Sequence, residues 1–335
     1  MAAIVGADQY VAWQLESGPE PSAFLAAREG AATWSVVRVA LYGATVISWR
    51  TGVRGDDLGA RGPTTGAERL WMSGLSARDG SAPIRGGVPI AFPQFADQGP
   101  LPLHGFARTL AWTYAGAEGD ADGVTGTFRL ARGAYGPEKT MGWDADFALE
   151  YRVSVRGAGG LGLELAVTAG AAPLTFTSCL HTYLKLDDVR NYRLRGLANA
   201  DYYDKVAKKW RREESGDLDV EAAARDTGAQ MGDASLGFVD RIYKGVVGSL
   251  RLERARGGEG PSFALSSTGY GDTVVFNPWN VGKKGDKGPD FDDDGYNVML
   301  CVEPAATLEG SGAVEVQPGE TWTGGQAIRL LPPLA

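Results

Sequence analysis

Cysteine and histidine are both scarce in this chain of 335 residues, with two of each. Two cysteines, Cys179 and Cys301, are too few for a disulfide-built scaffold, so the reading is of a reduced, cytoplasmic protein. With two histidines, a metal site would need several carboxylates. Neither Cys-x-x-Cys, His-Glu-x-x-His nor a P-loop occurs, and no metal or cofactor is expected. No apolar run approaches the roughly 20 residues that span a bilayer. The first residues carry no basic stretch ahead of an apolar one, so neither a membrane helix nor a secretory leader is expected. Positive charge is in deficit, with 33 Lys and Arg against 41 Asp and Glu and a net charge of −8. That excludes general nucleic-acid binding, which rests on a basic surface. It leaves room for a small anion held by a few arginines.

What is present is glycine, 48 residues of it, and period-two alternation. Phe147, Leu149, Tyr151, Val153 and Val155 occupy every second position, as do Leu161, Leu163, Leu165 and Val167. The glycine-rich link 157–160 joins them into a predicted β-hairpin. Residues 34–42 and 313–316 also read as strands. Helical signals are weak; the best runs from Leu218 to Ala224, inside a charged stretch at about 205–233 that reads as a partly helical or mobile surface insertion. Many strands and few helices predict an all-β fold, a large β-sandwich in a single domain spanning 1–335.

Each histidine sits in a dense motif, and histidine is the side chain best suited to proton transfer near neutral pH. His104 lies in LPLHGFAR (101–108) and His181 in CLHTYLK (179–185). For either, the plain alternative is a structural histidine bonded to the backbone. Glu303 ends the apolar run Val298–Val302. A carboxylate there is either paired structurally or has a raised pKa and a chemical role. Residues two apart on a strand share a face, which sets Cys179 beside His181 and Cys301 beside Glu303; unrelated core cysteines are the alternative. Arg85, before Gly86 and Gly87, and Arg108 are candidates for clamping an anion, or else solvated surface arginines. Asp240, in DRIY (240–243), is able to accept from sugar hydroxyls or to pair with Arg241. Trp279, in NPW (277–279), is a candidate sugar platform or a core residue. Asp292–Asp294 reads as a solvated charge run rather than a metal cage.

In order along the chain, IRGGVP (84–89), LPLHGFAR (101–108), LHTY (180–183), DRIY (240–243), NPW (277–279) and CVEP (301–304) resemble the glucose-6-phosphate 1-epimerases of the galactose mutarotase-like, or aldose 1-epimerase, superfamily. Gly43–Thr45 and Pro318–Trp322 fit the same pattern, so the resemblance spans about 34–330. It implies a galactose mutarotase-like supersandwich that interconverts the α and β anomers of glucose 6-phosphate and similar hexose 6-phosphates. His181 and Glu303 would be the catalytic pair. Arg85, Arg108, His104 and Asp240 would bind substrate, the arginines at the phosphate. The chain departs from the pattern at Leu103, where some members carry glutamine, at Leu184, and in the Gly- and Asp-rich loop 283–295. A monomer with no nucleic-acid or membrane partner is expected. The rival readings are an aldose 1-epimerase of free hexoses and a non-catalytic sugar-phosphate binder. A glycoside hydrolase is disfavoured because it needs two suitably spaced carboxylates.

Overall fold

Alternation along two long strands organises the largest sheet. Phe147–Arg156 buries every second residue, and Gly160–Ala169 does the same. They pair antiparallel, with Leu163 opposite Val153 and Leu165 opposite Tyr151. The register gathers the apolar side chains on one face, the outcome period-two alternation dictates. This is the predicted hairpin. The computed structural model describes residues 10–15, 20–59, 61–157, 159–230, 237–255, 260–279 and 288–332.

The hairpin lies within a nine-stranded sheet, in the order Asp217–Leu218, Tyr192–Arg195, Leu250–Arg254, Ser262–Thr268, Thr321–Leu331, Gly160–Ala169, Phe147–Arg156, Gly123–Ala131 and Thr113–Asp120. A second sheet runs Lys209–Arg212, Asp201–Asp204, Val239–Lys244, Asp272–Asn277, Met299–Ala306, Ser178–Leu180 and Ile90–Ala91, with Tyr183–Lys185 also paired to Met299–Ala306. A five-stranded sheet near the N-terminus includes Thr33–Ala40, the strand read at 34–42. Val314–Val316 pairs with Leu174–Phe176, as the reading of 313–316 requires. All the strand ladders among the described residues are antiparallel.

Leu180, Leu184, Leu300 and Val302 of the second sheet join the main core, together with Tyr151, Leu165 and Phe263 of the first. The opposite face of the second sheet is also covered. Cys179, Ile242, Val274 and Ala305 pack with Phe95, while Tyr183, Met299 and Cys301 pack with Trp71 and Phe291. Met299–Ala306 is therefore buried along its whole length. A strand covered on both faces has room for chemistry on one of them.

The charged stretch is built into the fold through residue 230. Lys209–Arg212 is the outer strand of the second sheet, and Asp217–Leu218 is the outer strand of the first. The helix is Val220–Gln230, which starts two residues later than read and runs further. The Asp219 carboxylate accepts from the Ala222 amide at 3.1 Å and caps its first turn. Ala223, Ala224 and Thr227 turn inward. Residues 231–233 of the stretch lie outside the described residues.

Candidate active site

Strand register brings His181 and Glu303 together. Cys179 lies opposite Ala305, and Tyr183 lies opposite Cys301. Counting inward from both pairs sets His181 across from Glu303. His181 Nδ1 is 3.2 Å from Glu303 Oε1. The ring is not aligned for a hydrogen bond, so Nδ1 is a buried nitrogen without one. The Cys179 thiol donates to Glu303 Oε2 at 2.9 Å. Backbone bonds fix the strand: His181 N donates to Pro89 O at 3.0 Å and Tyr183 N to Gly87 O at 2.9 Å. The Tyr183 ring lies flat against His181, with centroids 4.5 Å apart and planes 6° apart. Its hydroxyl is 3.4 Å from His181 Nε2.

Burial drives the two members of the pair apart in acidity. Glu303 is 1% exposed. Burial pushes its carboxyl up to about 8; Asp240 adds to the rise, against the Cys179 hydrogen bond and the Lys205 charge. His181 is 8% exposed. Burial lowers it well below the ordinary imidazole value, and the charges of Arg85, Arg108 and Lys205 lower it further. At neutral pH the proton that the two groups exchange therefore rests on the Glu303 carboxyl, and the imidazole is neutral. Paired groups with acidities set apart by environment are what acid–base chemistry needs. Burial also raises both thiols well above their ordinary value, so Cys179 and Cys301 stay protonated.

His104 adopts φ +63° within a turn closed by the Gly105 amide on Pro102 O at 2.8 Å. Its Nδ1 accepts from the Ala96 amide at 3.2 Å, which leaves the ring proton for Nε2. The ring stands edge-on to His181 at 5.3 Å. Burial, His181 and the neighbouring cations keep it neutral, with a pKa well below 6.5.

Arg85 precedes two glycines that the fold demands. A Cβ on Gly87 would sit 2.0 Å from Val46 O at φ +65°, a conformation and a contact open to glycine alone. Arg85 donates through Nε and Nη2 to Asp290 at 3.1 and 3.2 Å. Burial opposes its charge, but Tyr183 and Asp290 outweigh burial and raise its pKa. Arg108 donates through Nη2 to Leu103 O at 2.7 Å, while its Nε is buried without a partner. Burial first, then Arg85, lowers it to about 10, so it remains a cation at neutral pH.

Arg85, His104, His181, Asp240 and Glu303 all line one cavity of about 400 Å³, a size that suits a small ligand. Arg108 does not line the cavity. Leu103, 53% exposed, is at the rim. Four phenylalanines, Phe95, Phe238, Phe276 and Phe291, supply the apolar surface. Trp279 does not take part; it packs against Tyr296 at 5.6 Å and its amide donates to Asn277 Oδ1. Asp240 pairs with Lys205, at 2.8 Å, and not with Arg241, which bonds Glu213 and Tyr243. Sequence reading missed Lys205, Asp97 and Asp290. Lys205 sits in a charged run that looks like surface, and only the pairing of Asp201–Asp204 with Val239–Lys244 turns it inward.

The donor atoms of His181, Cys301 and Glu303 lie within 4.8 Å of one another, the one such group among the described residues. With a protonated thiol and three cations nearby, it suits proton transfer better than a metal ion. Within 292–294, the Asp292 carboxylate accepts from the Gly74 amide at 2.9 Å. Residues 283–287 of the Gly- and Asp-rich loop lie outside the described residues.

Comparison with known proteins places this cavity in context. The aldose 1-epimerase family model matches residues 31–329. A Cenchrus ciliaris protein named "Putative glucose-6-phosphate 1-epimerase" is 30% identical over 302 residues, 87% of this chain and 80% of its own length. An Escherichia coli (strain K12) protein of the same name is 29% identical over 300 residues, 87% of this chain and 85% of that one. The crystal structure of a "putative mutarotase" from Salmonella typhimurium matches with a TM-score of 0.71 at 23% identity, covering 98% of this chain and 96% of that chain. The galactose mutarotase-like β-sandwich expected from the sequence is the fold observed.

Proposed function

This chain belongs to the aldose 1-epimerase family, and from that premise we propose that it interconverts the α and β anomers of D-glucose 6-phosphate and similar hexose 6-phosphates. The observation that carries the reading is the His181–Glu303 pair, 3.2 Å apart, in a cavity that Arg85 also lines. Glu303 carboxylate takes the proton from the C1 hydroxyl. The C1–O5 bond breaks, C1 becomes an aldehyde, and O5 takes a proton from protonated His181. The aldehyde turns about C1–C2, and the ring closes on the other face by the reverse transfers. Both groups return to their starting states, and each proton transfer is expected to contribute roughly 10²–10⁴-fold in rate.

The 6-phosphate has a second task in this scheme. Burial first, and then the charges of Arg85, Arg108 and Lys205, keep His181 neutral. A phosphate bound at Arg85 offsets part of that positive field, which favours moving the pair's proton from Glu303 to His181. Arg85 thereby links phosphate binding to a charged acid and an ionised base. One observation favours the alternative, a free hexose: Asp290 already occupies two Arg85 donors. Optical rotation of freshly dissolved α-glucose 6-phosphate, α-glucose and α-galactose separates these readings. Faster relaxation of the phosphate alone is the expected result. Acceleration of the free sugars alone would assign the alternative, and acceleration of none would leave a sugar-phosphate binder.

A further inference from the structure

The five-stranded sheet carries a second recess, of about 310 Å³. Among the described residues it shares no lining side chain with the cavity of His181 and Glu303. Strand register builds its floor. Phe24 lies opposite Arg38, and Arg38 lies opposite Ser48. Val36, two residues before Arg38 and so on the same face, lies opposite Arg50. The turn at Gly62 docks on this floor. At φ +87° a Cβ there would sit 2.5 Å from the Phe24 ring, an approach open to glycine.

Five cations line the recess, Arg38, Arg50, Arg61, Arg78 and Lys185, against one carboxylate, Glu68. That balance runs against the chain's net charge of −8. The nearby carboxylates are already engaged. Glu20, 8% exposed, is shared by two guanidiniums. Arg78 donates to it through Nε and Nη2 at 2.7 and 2.6 Å, and Arg38 Nη2 stands 3.0 Å away. Glu68 accepts from the Trp49 amide at 2.8 Å and the Ser48 hydroxyl at 2.5 Å, with Arg50 Nε at 3.5 Å. Arg61 and Lys185 are exposed and have no carboxylate partner among the described residues. Three arginines are thus fixed in place and two further cations are free to turn onto a ligand. We propose that this recess is an anion site, separate from the catalytic cavity, for a small molecule carrying two or more phosphate charges. Guanidiniums bond phosphate oxygens through paired donors, and lysine adds a point charge. A recess of this size takes a small molecule, and the chain's overall negative charge repels extended polyanions.

Calorimetric titration with pyrophosphate tests this on wild type, R61A/K185A, R85A and R129A/R225A at one ionic strength. Wild type is expected to bind, and R61A/K185A to bind at least about tenfold more weakly, the size of a hydrogen bond to a charged group. R85A, altered in the catalytic cavity, keeps a binding event within about threefold of wild type. R129A/R225A removes the same two charges from exposed positions elsewhere and also stays within about threefold, since exposed charges contribute little singly. No binding by wild type overturns the proposal, as does undiminished binding by R61A/K185A. Loss of all binding in R85A would put the anion in the catalytic cavity instead. An equal loss in R129A/R225A would reduce the effect to overall charge. Either result also overturns the site.

Discussion

The two large sheets share a core but follow different rules. The nine-stranded sheet is centred on long strands, and its hairpin Phe147–Arg156 and Gly160–Ala169 buries alternate residues. In the second sheet the strands beside the site, Ile90–Ala91 and Ser178–Leu180, have only two and three residues, and the neighbouring Met299–Ala306 is buried on both faces. One face of that strand carries Leu300 and Val302 into the core, and the other carries Cys301 and Glu303. The lesson is a division of labour. Stability is held where apolar side chains interlock, while the reactive groups sit where the fold tolerates polar atoms without water. Burying a carboxyl and an imidazole costs stability, and the first sheet bears that cost.

The contrast is broken most severely by changing one region and measuring the other's property. His181→Asn is expected to reduce anomerisation by roughly 10²–10⁴-fold while the melting temperature stays at or above wild type. A loss of folding alongside activity would make His181 a structural residue. Phe128→Ala, at a fully buried site opposite Tyr151, should do the reverse. It should destabilise by about 3–5 kcal/mol in denaturant titration and leave kcat/KM near wild type where the protein is folded. Arg85→Ala should raise KM for glucose 6-phosphate by about tenfold to a hundredfold and leave free glucose nearly unchanged. Arg108→Ala, outside the cavity lining, should do less in the same direction. Equal changes for both sugars would remove the phosphate from the account.

The smallest effect is on stability against pH, and its sign distinguishes the buried groups. Glu303 holds its proton to about 8 when folded, against an ordinary 4.5. Between those values the folded protein binds more protons than the unfolded chain, so stability falls as pH rises. His104 and His181 are lowered from 6.5, so their contribution is present above 6.5 and is lost as pH falls below it. From 6.5 to 8 the Glu303 slope acts alone among the three. Glu303→Gln should flatten the decline in denaturation midpoint across that window, and an unchanged slope would contradict a protonated Glu303.

Sequence legibility divides along the same line as the sheets. Alternation exposed the 147–169 hairpin because one buried face leaves a period of two. It could not reveal the register of Ser178–Leu180 on Met299–Ala306, where both faces are covered and the period vanishes. The motifs named His181, Glu303, Arg85, His104 and Asp240, and the structure gathers all five around one cavity. Arg108 and Trp279 stand off that wall. Lys205 and Asp290 were illegible because a charge in a charged run acquires meaning only from its tertiary partner, here Asp240 and Arg85.

The most direct test is magnetisation exchange between the two anomeric proton signals of glucose 6-phosphate at equilibrium, recorded with wild type and Glu303→Gln at equal folded concentration. The account predicts exchange well above the uncatalysed rate with wild type and near it with the variant. Equal exchange in the two samples would contradict the assignment of Glu303 as the base.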